Sequence, residues 1–194
     1  MPPNLDIYGL TKYRNVDIIN HFLDKYVDRQ ASDKREDEDL MLVPLGRTKD
    51  TTKYLWPQVH EYHLEHDQAY REQYYEYDWE PAENLANIVK RGLDYPRRSF
   101  TVYLTPKQED IQRAILSFTV DNQLILGLSI DDEMELAENK ERARRLLSEL
   151  AEQYRCHLGV IFVEHPPPIN EDQFRDMEQN RQNYPLLIAY TAFT

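Results

Sequence analysis

The stretch from Phe100 to Val163 constrains the fold most, because four successive local signals in it agree. Phe100-Thr-Val-Tyr-Leu-Thr105 is β-branched and aromatic with few charges, the composition of a strand. A short helical turn is expected at Pro106 to Asp110. Ala114, Leu116, Phe118 and Val120 then alternate, Asp121-Asn122 supplies turn residues, and Leu124 to Ile130 is a second apolar run. Asp and Asn tolerate the backbone angles of tight turns, so the pattern predicts a β-hairpin. Ile111, Ala114, Ile115 and Phe118 also fit a helical spacing, but Ser117-Phe-Thr-Val120 suits a pleated surface better.

The next element is an amphipathic helix. Leu136, Lys140, Ala143, Leu147, Leu150 and Tyr154 advance by threes and fours, and Leu146 and Ala151 widen the stripe. Asp132 followed by Glu135 resembles a capping box, in which acidic oxygens accept from the free N–H groups of the first turn. Acids come early and Arg142, Arg144 and Arg145 later, which suits the helix dipole. Val160-Ile-Phe-Val163 closes the stretch as a run typical of a strand buried on both faces.

Around this core the chain reads as further strands and helices. Leu5 to Leu10 is a short strand, and Asn15 is the expected N-cap of a helix with Val16, Ile19, Phe22, Leu23, Tyr26 and Val27 on one face. Arg29 to Asp39 reads as a charged connector, and Leu40 to Leu45 as a strand whose Pro44 places it at an edge or at its own end. Pro81 opens a helix that buries Leu85, Ile88, Val89 and Leu93. After Pro166-Pro-Pro168, Asn170 and Gln173 form an N-cap pair for a helix reaching about Asn183, and Leu186 to Phe193 is a last, docked strand. The expected fold is α+β: a mostly antiparallel sheet of about six strands with helices packed on it, with a ferredoxin-like element in the C-terminal half. Residues 1–194 read as a single domain with a polar, Tyr- and acid-rich insertion at about 47–83.

Charge narrows function. The formal net charge of −12 disfavours nucleic acid and anionic membrane surfaces as partners, since both are bound through Lys and Arg. No apolar run approaches the roughly 20 residues of a membrane helix. The start of the chain has neither the basic nor the apolar region of a secretion signal, and the single cysteine excludes an internal disulfide. These features lead us to expect a cytoplasmic protein. Five glycines, at 9, 46, 92, 127 and 159, cannot assemble a phosphate loop.

Three groups of residues carry candidate chemistry. His60, His63, His66 and Asp67 invite a metal, but His60-Glu-Tyr-His63 is one residue short of the zinc-protease spacing, and adventitious or no binding is the expectation. Asp131 and Asp132 end one predicted strand, and Glu164 and His165 end another. Were those ends neighbours, a carboxylate–histidine site with His165 as base would become possible; the competing reading is helix capping and solvated acid. Cys156 and His157 are adjacent on a strand and so point to opposite faces. The third group is Tyr74, Tyr75, Tyr77 and Trp79 among Glu72, Glu76, Asp78 and Glu80. Tyr and Trp dominate binding hot spots, and acids around them would steer a basic partner.

The resulting expectation is an acidic binding protein for a basic protein partner, of the inhibitor or toxin-immunity type, with no cofactor. The alternatives are a metal-dependent hydrolase using the strand-end acids and histidine, and a structural or regulatory module without catalysis.

Overall fold

In a computed structural model, residues 3–34, 43–44, 84–94, 100–132, 137–184 and 186–191 are described. They form, in order, β1 (Asn4–Thr11), α1 (Val16–Tyr26), α2 (Arg29–Lys34), β2 (Val43–Pro44), α3 (Leu85–Asp94), β3 (Phe100–Leu104), β4 (Arg113–Phe118), β5 (Leu124–Asp131), α4 (Ala137–Tyr154), β6 (Leu158–Val163), α5 (Glu171–Gln179), a 3-10 turn (Arg181–Asn183) and β7 (Leu186–Thr191). The strands make one antiparallel sheet in the order β2-β3-β4-β5-β1-β6-β7, with β2 only two residues long. The α+β architecture is the one the sequence patterns imply.

Local chemistry explains most boundaries. Asn15 is extended, and its side chain accepts from the Ile18 N–H at 3.0 Å, which starts α1. Asn84 caps α3 in the same way, through the Asn87 N–H at 2.9 Å. Asn170 caps α5 through the Gln173 N–H at 2.8 Å, while Gln173 reaches back to the Ile169 N–H at 2.7 Å. The β4–β5 hairpin turns at Asn122, whose φ of 62° lies in the left-handed region that Asn tolerates. Residues 113–118 are a strand, so the helical alternative for that stretch is discarded. Asp132 is buried, and its carboxylate takes a hydrogen bond from the Asn139 side chain at 3.2 Å, so it holds the first turn of α4 from the side. Residues 133–136, with the expected capping partner Glu135, lie outside the described residues.

Both β5 and β6 run antiparallel to β1, so they are parallel to each other, joined by α4 and split by β1. This split β-α-β unit is the ferredoxin-like element, completed by a strand from the other end of the chain.

Strand alternation divides the core in two. On one face Leu5, Ile7, Leu116, Phe118, Leu126 and Leu128 pack against Phe22, Leu23, Ile88, Leu147 and Leu150 from α1, α3 and α4. On the other face Tyr8, Leu10, Ile125, Val160 and Phe162 pack against Phe174 and Met177 of α5. Arg14 ties α3 to the hairpin, donating to the carbonyls of Gly92 and Thr119 at 3.0 Å each. Among the described residues no helix is long and apolar enough to cross a membrane.

Candidate functional site

The described polar chemistry gathers on the α5 face, at the edge of the sheet where β1 begins and β5 and β6 end. Asn4 pairs with Asp131, and its carbonyl accepts from the Glu164 N–H at 3.0 Å, so the two strand ends flank the start of β1. The sequence left open whether these ends are neighbours; they share one edge of the sheet with β1 between them. Two strand spacings, roughly 10 Å, therefore separate Asp131 from Glu164 and His165. Asp132 leaves the group altogether, because the next residue along β5 faces the opposite side and α4. Among the described residues no group of three or more His, Cys, Asp and Glu is placed to hold a metal ion.

The residue at the centre of this edge is Asp6, which the sequence reading passed over as part of a strand. It stands between Ser129 of β5 and Phe162 of β6 in register. Its Oδ2 accepts from the His165 N–H at 3.0 Å. Burial, opposed by the Ser129 hydroxyl, the His165 N–H and Arg113, raises its carboxyl from 3.8 to about 6. Glu164 pushes in the same direction as burial. The signal available in the sequence was an acid flanked by Leu5, Ile7 and Tyr8, that is, a charge inside an otherwise apolar strand.

Several contacts hold the part-buried His165. The Tyr8 hydroxyl donates to its carbonyl at 2.7 Å, and its ring lies 4.5 Å from Phe162 and 5.9 Å from Tyr184. Its Nδ1 is 2.8 Å from the Pro166 carbonyl; a carbonyl only accepts, so Nδ1 carries the proton and Nε2 keeps its lone pair. Burial lowers its pKa, which favours the neutral ring. Glu164, at φ 48°, makes the left-handed turn that leads into this arrangement.

A second polar group anchors α5 at the opposite edge. Glu171 accepts from Gln123 at 2.9 Å and from Arg175 at 2.6 Å, and lies 3.3 Å from His157 Nε2. The Gln123 bond first, then Arg175 and His157, hold its carboxyl down at about 2. Cys156 and His157 do face opposite ways: the thiol is buried against Gly9, and burial pushes it up to about 12, which makes it a poor nucleophile.

His60, His63, His66 and Asp67, and the group Glu72, Tyr74, Tyr75, Glu76, Tyr77, Asp78, Trp79 and Glu80, lie outside the described residues. No protein-family model, curated protein or solved structure significantly matches the chain.

Proposed function

We propose that the protein is an acidic, cytoplasmic binding protein whose partner is a basic protein, in the manner of an inhibitor or immunity protein. The observation that carries this reading is the uneven placement of charge. The described residues hold 20 Asp and Glu against 16 Lys and Arg, a third of the net −12. The remaining excess belongs chiefly to Glu36-Asp-Glu-Asp39 and to the Tyr- and Trp-rich stretch from His60 to Glu83. Acids that served only solubility would have no reason to concentrate beside aromatic residues, whereas a steering rim around aromatic anchors does.

Gentle purification from the native host at low salt tests it. A basic protein recovered in stoichiometric amount is expected. Glu72, Glu76 and Glu80 changed to Lys should slow its association, and Trp79→Ala should speed its release at a cost of about 2 kcal/mol or more. A partner indifferent to all four changes, or none at all, overturns the reading.

The second reading, a metal-dependent hydrolase with the strand-end acids and His165 as base, is favoured by the neutral His165 ring, whose unprotonated Nε2 suits a general base. Elemental analysis of protein purified without chelator decides it. One tightly held metal equivalent, lost in Asp131→Ala, would support the hydrolase; no stoichiometric metal is our expectation.

A further inference from the structure

Asp6 and Tyr8 lie two apart on β1 and so on one face, and between them they hold both backbone groups of His165: Asp6 its N–H, Tyr8 its carbonyl. Ser129 completes the group from β5. It is 1% exposed and sits opposite Asp6 in register. Its hydroxyl is near enough to favour the charged carboxyl, yet among the described residues nothing meets it in hydrogen-bond geometry. A buried hydroxyl so loosely held is uncommon and invites an explanation.

The charged groups around Asp6 come from each neighbouring element. Arg113 of β4 pairs with Ser129 and attracts the carboxylate. Glu164, following β6, repels it, and Asp131 lies two residues beyond Ser129 on the same face of β5. From the α5 side, Tyr184 faces the His165 ring, with its hydroxyl donating to Asp176 at 2.9 Å.

We propose that Asp6 and Ser129 form a proton-linked clamp: the ionised carboxylate grips the His165 backbone and fixes the turn presenting that ring, and the protonated carboxyl turns to Ser129 and slackens the grip. The proton comes from solvent and binds a carboxyl oxygen of Asp6, which is only partly buried. The new O–H needs an acceptor, and Ser129 Oγ supplies one by rotation of its hydroxyl. The other carboxyl oxygen still accepts from His165 N–H, but without the charge, which roughly doubles the strength of such a bond. No heavy atom has to move far; the Ser129 hydroxyl exchanges its donation to the charged carboxylate for acceptance from the protonated one.

Acidification then has opposite effects on two properties. The folded carboxyl, at about 6, binds its proton more tightly than the unfolded one at 3.8. The stability this gives is full below about 3.8 and lost as pH rises through about 6. From pH 7 to 5 the whole fold therefore gains stability from this group while the local grip on His165 weakens.

Carbon-13 NMR of the Asp side chains should show one carboxyl titrating near pH 6, missing in Asp6→Asn. Hydrogen exchange at the His165 amide, corrected for the intrinsic rate, should be roughly ten-fold faster at pH 5 than at pH 7, while the urea midpoint rises by an amount that Asp6→Asn abolishes. A carboxyl titrating with the ordinary ones near 4, or His165 protection that holds level or rises with the midpoint, overturns the clamp. The titration and exchange measurements need only the unaltered protein, so they stand even if Asp6→Asn folds poorly, and no partner is involved in either.

Discussion

The two faces of the sheet are built on different terms. Under α1, α3 and α4 the inward side chains are almost all aliphatic or aromatic, and the charged pair that joins α1 to α4, Lys25 with Glu149, sits at the rim. Under α5 the rows alternate between apolar and polar. One row runs Arg113–Ser129–Asp6–Phe162, the next Ile115–Gly127–Tyr8–Val160, and beyond it Thr101 and Ser117 share a buried hydrogen bond of 2.8 Å. The first face does little but exclude water, at about 1.5–3 kcal/mol for each fully buried large side chain. The second also carries a partly buried acid whose charge is costly to keep. A residue that destabilises the fold at neutral pH is the kind retained for activity, and Asp6 on the α5 face is such a residue.

The largest effects should come from emptying either face. Phe162→Ala, beneath α5, removes a fully buried ring that also carries the His165 imidazole, and a loss of about 3–5 kcal/mol is expected. Leu147→Ala, in the α4 stripe, should cost about 2–5 kcal/mol. Urea melts of the two compare the faces directly. Only Phe162→Ala should also shift the His165 ring resonances, and equal shifts in both mutants would erase the distinction between the faces.

Gly127 sharpens the comparison. A Cβ there would come within 2.7 Å of the Tyr8 ring and 3.0 Å of Ile115 Cβ, and Tyr8 is tethered by its bond to His165. Gly127→Ala should cost about 1–3 kcal/mol by overpacking. The same change in a Tyr8→Phe background should cost less, since the released ring is free to shift, and a double-mutant cycle in denaturant measures the coupling. Additive costs would mean that the tether does not stiffen this face.

The smallest effect should be at the α5 anchor. Glu171→Gln breaks a half-exposed network and should cost about 1 kcal/mol or less at pH 7. The folded carboxyl is depressed to about 2 from 4.5, so its contribution is present above about 4.5 and lost as pH falls through about 2. The gap between mutant and wild type should narrow from pH 5 towards pH 2, the reverse of the behaviour expected for Asp6. A gap that widened on acidification would contradict the anchor.

Residues whose periodicity is local were legible in advance. The α4 stripe, the caps at Asn15 and Asn170, and the hairpin turn at Asp121-Asn122 each depend on neighbours within a few positions. Asp131, Glu164 and His165 were legible as strand ends because each simply ends an apolar run, but whether those ends lay together was not. Asp132 was read as a backbone cap; the first-turn N–H groups it would cap lie outside the described residues, and what is seen is its bond from the Asn139 side chain, seven residues on. Asp6 was missed because its importance comes from Ser129 and His165, both more than 120 positions away.

The sequence by itself determined that the chain folds as α+β, most of the residues that face inward (though Val16 and Val120 are exposed, and Arg29–Lys34 is a helix rather than connector), and that acid and aromatic residues concentrate in one stretch. Those properties follow from side-chain chemistry repeated at periods of two and 3.6, information held within a single turn or strand. The tertiary structure alone decided that β1 enters between β5 and β6, and so that one acid from the start of the chain meets a serine and a histidine from its later half. Strand order is fixed by which apolar faces cover one another best across the whole sheet, and that competition leaves no mark at any one position in the sequence.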